Sequence, residues 1–104
     1  MTGAQERAWR ELWPALGIEN GEAPLDFTAA FGRDAPVVLE IGFGNGESLV
    51  ALACNHPERN YLGLEVHPPG VGHLLLCCEA GQLRNVRVIC DDAGQPLRMV
   101  GTAQ

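Results

Sequence analysis

The segment that decides the fold is Val37–Ile41, which reads VVLEI and runs directly into the turn GFGNG at residues 42–46. A short run of β-branched and apolar residues is typical of a strand buried on both faces of a parallel sheet. Two more such runs follow, Asn60–Val66 (NYLGLEV) and Val86–Cys90 (VRVIC). The sequence therefore predicts three strands, each followed by a loop at its carboxyl end.

Two stretches of helical length separate these strands. Glu47–Asn55 (ESLVALACN) and Gly70–Ala80 (GVGHLLLCCEA) have apolar residues at helical spacing. Strands and helices that alternate with short connections predict parallel strands joined by right-handed crossovers. The predicted fold class is therefore α/β, with a parallel, doubly wound, Rossmann-like sheet that is truncated after its third strand.

The residues before the sheet have a helical pattern interrupted by a loop. Ala4–Trp13 predicts an amphipathic helix that we expect Pro14 to end. Residues 16–24 contain Gly, Asn and Pro and predict a loop. A brief helical turn is expected over Leu25–Phe31, ending at Gly32.

Composition limits the class of protein. With 104 residues, 46% of them hydrophobic and 19% charged, the chain has the size and composition of one globular domain. All 7 basic residues are Arg, and 13 acidic residues bring the net charge to −6, so no general basic surface for nucleic acid is predicted. No apolar run approaches the ~20 residues of a membrane span, and the polar start has no signal-peptide core, so we expect a cytoplasmic protein.

The cysteines and histidines do not form a metal-binding pattern. Cys54, Cys77, Cys78 and Cys90 include no Cys-x-x-Cys pair and lie in apolar stretches. We interpret them as small buried hydrophobic residues. The three histidines lack the His-Glu-x-x-His spacing of a zinc site, so no metal is predicted.

Glycines and carboxylates follow the predicted strand ends, where ligands of parallel sheets bind. Gly42, Gly44 and Gly46 allow a sharp turn and close approach of a ligand, and the next helix presents free N–H groups. Glu65 ends the second strand, 19 positions after Gly46, about where a carboxylate binds ribose hydroxyls. Asp92 follows the third strand, in a position to contact a base.

The glycine spacing discriminates between nucleotide cofactors. A dinucleotide site needs G-x-G-x-x-G, whereas this turn has Glu47 where the last glycine should be, so a dinucleotide-dependent oxidoreductase is disfavoured. Glu40, one residue before the first strand ends, would repel a pyrophosphate and favour an ammonium group. S-adenosylmethionine carries an α-ammonium, a carboxylate, a ribose and an adenine, which Glu40, the glycine turn, Glu65 and Asp92 match in that order. The alternative is a satisfied strand-end carboxylate beside an ordinary tight turn.

Two long stretches resemble one family. Residues 37–75 (VVLEIGFGNGESLVALACNHPERNYLGLEVHPPGVGHLL) and 85–93 (NVRVICDDA) closely resemble the bacterial tRNA (guanine-N7)-methyltransferases. TGAQERAWRELWPALGI at 2–18 and PLDFTAAFGRDAP at 24–36 are similar to that family's N-terminal extension. The resemblance covers about residues 2–93.

The resemblance implies a class I methyltransferase fold, S-adenosylmethionine as cofactor and tRNA as substrate. Residues 1–34 would be the helical extension, 35–93 the cofactor-binding half domain and 94–104 a divergent tail. The glycines would lie beneath the methionine part of the cofactor, and the carboxylates would bind its other groups. The cofactor-binding residues implied are Glu40, Gly42, Gly44, Gly46, Glu65 and Asp92.

The resemblance stops after Ala93. There the family has a hydrophobic helix, a fourth strand and a Pro-Asp-Pro-Trp-Pro segment followed by basic residues. The aspartate of that segment is the family's acceptor-site carboxylate, and the basic residues contact RNA. This chain instead reads GQPLRMVGTAQ, and Pro69 and His73 stand where the family usually has Arg. We therefore predict an inactive N-terminal portion of such a methyltransferase, with no catalytic residue of its own.

A non-catalytic module that binds a nucleoside ligand, or a partner through its open sheet edge, is the alternative. In a doubly wound sheet the first strand is central, but no fourth strand is predicted beside Val37–Ile41. That strand contains no Lys, Pro or bulge to block pairing. We expect the isolated chain to be marginally stable and either to self-associate through the first strand or to aggregate.

Overall fold

A computed structural model of the protein describes residues 1–19, 24–91 and 99–100. Within these residues the chain forms four helices and five strands, which create two small parallel sheets. The elements in chain order are α1 (Gly3–Leu16), β1 (Leu25–Asp26), α2 (Phe27–Phe31), β2 (Val37–Ile41), α3 (Glu47–Asn55), β3 (Asn60–Glu65), α4 (Pro68–Gly81), β4 (Val86–Cys90) and β5 (Met99–Val100).

The main sheet has the strand order β2-β3-β4, and both pairs of strands are parallel. Its register aligns Ile41 with Leu64 and Glu65 with Cys90, so the carboxyl ends of the three strands lie along one edge. The helices α3 and α4 are the two crossovers. This arrangement confirms the predicted α/β class and the parallel, Rossmann-like sheet.

Both faces of this sheet are covered, as the apolar strands require. Alternate side chains of a strand point to opposite faces, and the buried residues accordingly form two clusters. One cluster joins α1, α3 and α4 to the sheet and consists of Ala8, Phe43, Leu49, Ala53, Tyr61, Val71, Leu74, Leu75, Cys78, Val86 and Val88. The other places α2 on the opposite face and consists of Phe27, Phe31, Val37, Leu62, Leu64 and Ile89.

The strand β2 lies at an edge of the described sheet, as the sequence predicted. The Asn60 N–H donates to the Pro36 carbonyl, and the Gly42 N–H to the Leu64 carbonyl, both at 2.7 Å. Since parallel strands alternate the direction of their backbone groups, every second residue of β2 directs its N–H and C=O away from β3. These outward groups belong to Val37, Leu39 and Ile41. At the opposite edge, the Ile18 N–H donates to the Val88 carbonyl at 2.8 Å and extends the pairing by one bridge.

The first helix is longer than its sequence predicted, because Pro14 does not end it. The helix continues to Leu16, and the Gly17 N–H closes its last turn on the Trp13 carbonyl at 2.7 Å. Proline removes one backbone donor, but Trp13 before it and Leu16 after it both pack against the apolar cluster. Tertiary packing therefore outweighs the local penalty.

Two other boundaries differ from prediction. Leu25 and Asp26 are not helical, because they pair in parallel with Met99 and Val100. The helix α2 starts only after Asp26, whose side chain accepts the Ala29 N–H at 3.2 Å, and it ends at Gly32 as predicted. The strands β2, β3 and β4 and the helices α3 and α4 fall within two residues of their predicted limits, whereas β5 was not predicted.

The cysteines are only partly the buried residues that the sequence predicted. Cys78 is buried, and burial raises the pKa of its thiol to about 12. Cys77 and Cys90 are half-buried, whereas Cys54 is exposed on α3, so the prediction is wrong for Cys54. Within residues 1–19, 24–91 and 99–100, no helix combines the length and apolar character that crossing a membrane requires.

Candidate functional site

The glycine turn connects the carboxyl end of β2 to α3. Gly42, Gly44 and Gly46 have φ values of +71°, +64° and +81°, a backbone region that side chains rarely adopt. A Cβ atom on Gly42 or Gly44 would meet nothing within 4 Å, so the space over these two residues is open. A Cβ on Gly46 would come within 2.5 Å of Leu74 Cδ1. The first two glycines therefore leave room for a ligand, and the third lets the turn pack on α4.

Phe43 fixes the turn to the sheet. Its side chain is only 9% exposed and joins the apolar cluster beneath the turn. The ring lies over Gly63 of β3, where a Cβ atom would come within 2.6 Å of Phe43 Cδ2. Sequence reasoning missed both residues, although an apolar residue between glycines and a glycine inside a buried strand both indicate close packing.

The carboxylate of Glu65 joins the glycine turn to the end of β3. Its Oε1 atom accepts the Gly44 N–H at 2.7 Å, and its Oε2 atom accepts the N–H groups of Val66 at 2.9 Å and His67 at 3.2 Å. Burial raises the pKa of this carboxyl group, but the three backbone hydrogen bonds lower it, and the net direction is downward. The group is therefore held ionised at neutral pH. Because the Val66 N–H bonds to this side chain, β3 ends one residue earlier than predicted.

These bonds limit how Glu65 can bind a ribose. A carboxylate has about four acceptor positions, and three are occupied by backbone N–H groups. One position, on Oε1, is left for a hydroxyl group. Binding both ribose hydroxyls, as the sequence predicted, requires one of the three existing bonds to open.

Glu40 lies on the same face of the sheet as Glu65. It pairs in register with Gly63, two residues before Glu65. At about 3.3 Å per residue this separation is roughly 7 Å along the strand direction. Glu40 is half-buried, and among the described residues its carboxylate has no hydrogen-bond partner. This observation disfavours the alternative of a satisfied strand-end carboxylate.

Asp92 lies outside the described residues, but its neighbour Asp91 is at the same edge. The Asp91 N–H donates to the Glu65 carbonyl at 3.1 Å, and Asp91 lines a cavity of about 130 Å³ with Glu65, Ile41 and Val66. Ile41 is 58% exposed and Val66 56% exposed. Sequence reasoning missed these three residues, although each is the last residue of its predicted strand or the first one after it. Ile41 and Val66 give the edge apolar surface, and Asp91 adds a carboxylate beside it.

The start of α4 lies against the glycine turn. A Cβ atom on Gly70 would overlap the Gly44 carbonyl oxygen, so the absence of a side chain there allows the contact. The Trp9 indole N–H donates to the Pro68 carbonyl at 3.0 Å and ties α1 to the same region. In the described part of the chain, no three side chains of His, Cys, Asp or Glu come together as a metal-binding group.

Comparison with known proteins agrees with this geometry. Residues 34–103 match a family model described as "Putative methyltransferase". The chain belongs to this methyltransferase family. The match includes the whole glycine turn, Glu40, Glu65 and Asp92.

Curated relatives of this methyltransferase family member are tRNA (guanine-N(7)-)-methyltransferases, which confirms the resemblance. The Alkalilimnicola ehrlichii protein is 59% identical over 99 residues, covering 93% of this chain and 42% of the relative. The Klebsiella pneumoniae and Aeromonas hydrophila proteins are each 55% identical over 97 residues, covering 93% of this chain and 41% of the relative. The chain thus spans about two fifths of the length of these relatives, and the similarity extends well into residues 1–33.

Proposed function

We propose that this chain forms the S-adenosylmethionine-binding part of a cytoplasmic tRNA (guanine-N7)-methyltransferase, which transfers a methyl group to guanine N7 of tRNA. The observation that carries the proposal is the open glycine turn bonded to the Glu65 carboxylate, at the carboxyl edge of a methyltransferase-family sheet. The substrate and the position of methylation come from the names of the relatives.

The described residues fit this cofactor. The turn leaves open space over Gly42 and Gly44, and the helix that follows has no side chain capping its N-terminus. Free N–H groups and the partial positive charge of α3 suit the cofactor's carboxylate. Glu40, without a partner among the described residues, suits the α-ammonium group. We assign the ribose to Glu65, the adenine surface to Ile41 and Val66, and the base contact predicted from the sequence to Asp92.

Methyl transfer to guanine N7 requires little acid or base catalysis by the protein. When bound, S-adenosylmethionine supplies a methyl group on a sulfonium centre, and guanine N7 has a free lone pair. The protein therefore has to hold the donor in line with the acceptor. The glycine turn, fixed by Phe43 and Gly70, and the carboxylates at the strand ends perform that task for the donor side.

Isothermal titration calorimetry tests the cofactor assignment. We expect the 104-residue chain to bind S-adenosylmethionine and S-adenosylhomocysteine with a stoichiometry of about one, as expected for one open carboxyl edge per sheet. A nicotinamide dinucleotide should bind far more weakly. Equal or tighter binding of the dinucleotide would contradict the proposal.

Gly70→Ala should displace the glycine turn, since the added methyl group would overlap the Gly44 carbonyl oxygen. Overpacking of this kind costs about 1 to 3 kcal/mol. We expect a lower melting temperature and an affinity for S-adenosylhomocysteine that falls by about tenfold, which corresponds to ~1.4 kcal/mol. Gly3→Ala is the matched control, because a Cβ there meets nothing within 4 Å. Equal affinity of the two variants would show that Gly70 does not position the turn.

The outer edge of β2, which has no neighbouring strand in the described part of the chain, supports a second candidate function, pairing with another copy of the chain. Antiparallel pairing centred on Leu39 would place Val38 opposite Glu40, so no two carboxylates would face each other across the strands. Sedimentation velocity over a concentration series should therefore show a dimer or larger species. Ile41→Lys places a charge at this edge and should favour the monomer. Leu52→Lys, at an exposed position of α3, is the control. A monomer at every concentration would refute the pairing.

A further inference from the structure

A second cavity, of about 440 Å³, lies at the amino-terminal edge of the sheet, opposite the glycine turn. Its lining includes Pro57 and Asn85, which precede β3 and β4, and it shares no residue with the cavity beside Glu65. Its volume falls within the range of about 300 to 1,000 Å³ that is usual for small-molecule sites. We refer to it as the arginine cavity, because Arg33 and Arg84 both line it.

The charge of the arginine cavity is opposite to that of the chain. The protein has 13 acidic and 7 basic residues, yet none of the described carboxylates lines this cavity. Arg84 is exposed, and its guanidinium group has no ion pair or hydrogen bond among the described residues. Arg84 also borders a neighbouring groove that contains Glu79, but Glu79 is paired with Arg7 at 2.6 Å. The Arg84 charge is therefore available to a ligand.

Hydrogen bonds fix the guanidinium group of Arg33 through two of its three nitrogen atoms. Its Nε atom donates to Asn60 Oδ1 at 2.8 Å, and its Nη2 atom donates to the carbonyls of Pro57 at 2.7 Å and Arg59 at 2.9 Å. Its Nη1 atom has no partner among the described residues. A fixed guanidinium with spare donors is preorganised for an anion.

The backbone around the arginine cavity is constrained as well. Gln82 has a φ of +53°, the only described residue other than glycine in the left-handed region. This conformation caps the C-terminus of α4, where the Gln82 N–H donates to the Glu79 carbonyl at 3.1 Å. The Asn85 amide donates to the carbonyls of Ala53, His56 and Arg59 at 3.0 to 3.2 Å. These bonds fix the loops that carry the cavity wall.

We propose that the arginine cavity binds a phosphate group, contacted by Arg84 and by the free Nη1 of Arg33. Guanidinium groups match the geometry of phosphate oxygens and bind them in pairs of hydrogen bonds. The phosphate belongs either to a free phosphorylated compound or to the backbone of RNA, and both supply the same oxygens. This site lies outside the cofactor edge and does not depend on the cofactor assignment.

Titrations with inorganic pyrophosphate and with a short single-stranded RNA test the proposal. Arg84→Gln removes the available guanidinium and should weaken binding at least about tenfold. Arg10→Gln is the control, because it removes the same charge from an exposed residue of α1 whose partner within the described part of the chain is Glu11. It should change either affinity by less than about twofold, since surface ion pairs contribute little. Thermal melts confirm that the variants fold.

The two ligands separate the possible sources of the phosphate. If the source is RNA, the oligonucleotide binds more tightly than pyrophosphate and displaces it, and Arg84→Gln weakens both. If the source is a free compound, pyrophosphate binds and RNA does not compete. Saturating S-adenosylhomocysteine should leave the pyrophosphate affinity unchanged, because the two edges are separate. Absence of pyrophosphate and RNA binding, or equal effects of Arg84→Gln and Arg10→Gln, would overturn the proposal.

Discussion

Glu65→Ala should weaken the binding of S-adenosylmethionine at least about tenfold and destabilise both loops at the cofactor edge. A hydrogen bond to a charged group contributes about 1.5 to 3 kcal/mol, and ~1.4 kcal/mol corresponds to a tenfold change in the dissociation constant. The substitution removes the acceptor predicted to hold the ribose. It also leaves three backbone N–H groups, those of Gly44, Val66 and His67, without their partner.

Glu65→Gln separates the two roles of this side chain. Glutamine keeps one acceptor oxygen at similar volume but loses the charge, so we expect an affinity between those of the wild type and Glu65→Ala. Calorimetry gives the affinities, and thermal melts give the stabilities. Glu58→Ala, which removes an exposed carboxylate near the opposite edge, is the control and should bind like the wild type. Wild-type affinity in Glu65→Ala would refute the assignment of Glu65 to the cofactor.

The hydrogen bonds of Glu65 also predict how cofactor affinity depends on pH. The backbone hydrogen bonds lower the pKa of Glu65 in the folded protein against the opposing influence of burial. A lowered pKa means that the stabilisation is present above the pKa of the unfolded chain and is lost as the pH falls through the pKa of the folded protein. Cofactor affinity should therefore be constant near neutral pH and fall in the acidic range. Glu65→Gln should remove the part of this decrease that comes from Glu65.

The sequence predicted the main sheet because its signals are local and agree with one another. Val37–Ile41 and Val86–Cys90 have strand limits identical to those predicted, since continuous apolar runs bounded by turns leave little choice. Pro14 was misleading because the local penalty of a proline is visible in the sequence, whereas the packing of Leu16 against α4 and the sheet is not. The pairing of Leu25 with Met99 joins residues distant in the chain, and no local pattern indicates it.

The candidate site was predictable in its positions but not in its internal bonds. Topology places the end of every parallel strand at one edge, so Glu40, Glu65 and the glycine turn were found without a structure. The attachment of Glu65 to Gly44 depends on loop geometry, which the order of residues does not reveal. The same holds for Gly63 and Gly70, whose importance comes from the atoms packed against them. The assignment of all six predicted residues to a cofactor stays a prediction.

The 104-residue polypeptide alone should have no methyl-transfer activity: we expect no methyl group to pass from S-adenosylmethionine to tRNA. We propose that its carboxyl edge holds the donor, whereas residues 94–104 do not contain the segment that the family resemblance assigns to the acceptor, so we expect guanine N7 not to be positioned for in-line attack. The net charge of −6 also opposes association with a polyanion.

Two of the arginines are already bonded within the protein, so we do not expect RNA contacts at these residues to support methyl transfer to tRNA by this chain. Arg7 is paired with Glu79, and Arg87 donates to the carbonyls of Ala30, Arg84 and Val86. A phosphate bound at Arg84 would lie at the edge opposite the donor, about one strand length or 17 to 20 Å away, and would not orient a base toward it. Binding of RNA and transfer of a methyl group are therefore separable in this chain.

Transfer of a labelled methyl group to tRNA measures this directly, with a full-length relative such as the Klebsiella pneumoniae protein as the positive control. The same preparation should bind S-adenosylhomocysteine by calorimetry, so that misfolding cannot account for the missing transfer. Cofactor binding without transfer is the expected result, because we propose that the described residues hold only the donor. Label in tRNA above the level without protein would show that these residues suffice to hold the acceptor guanine, and the separation of the two tasks would then be wrong.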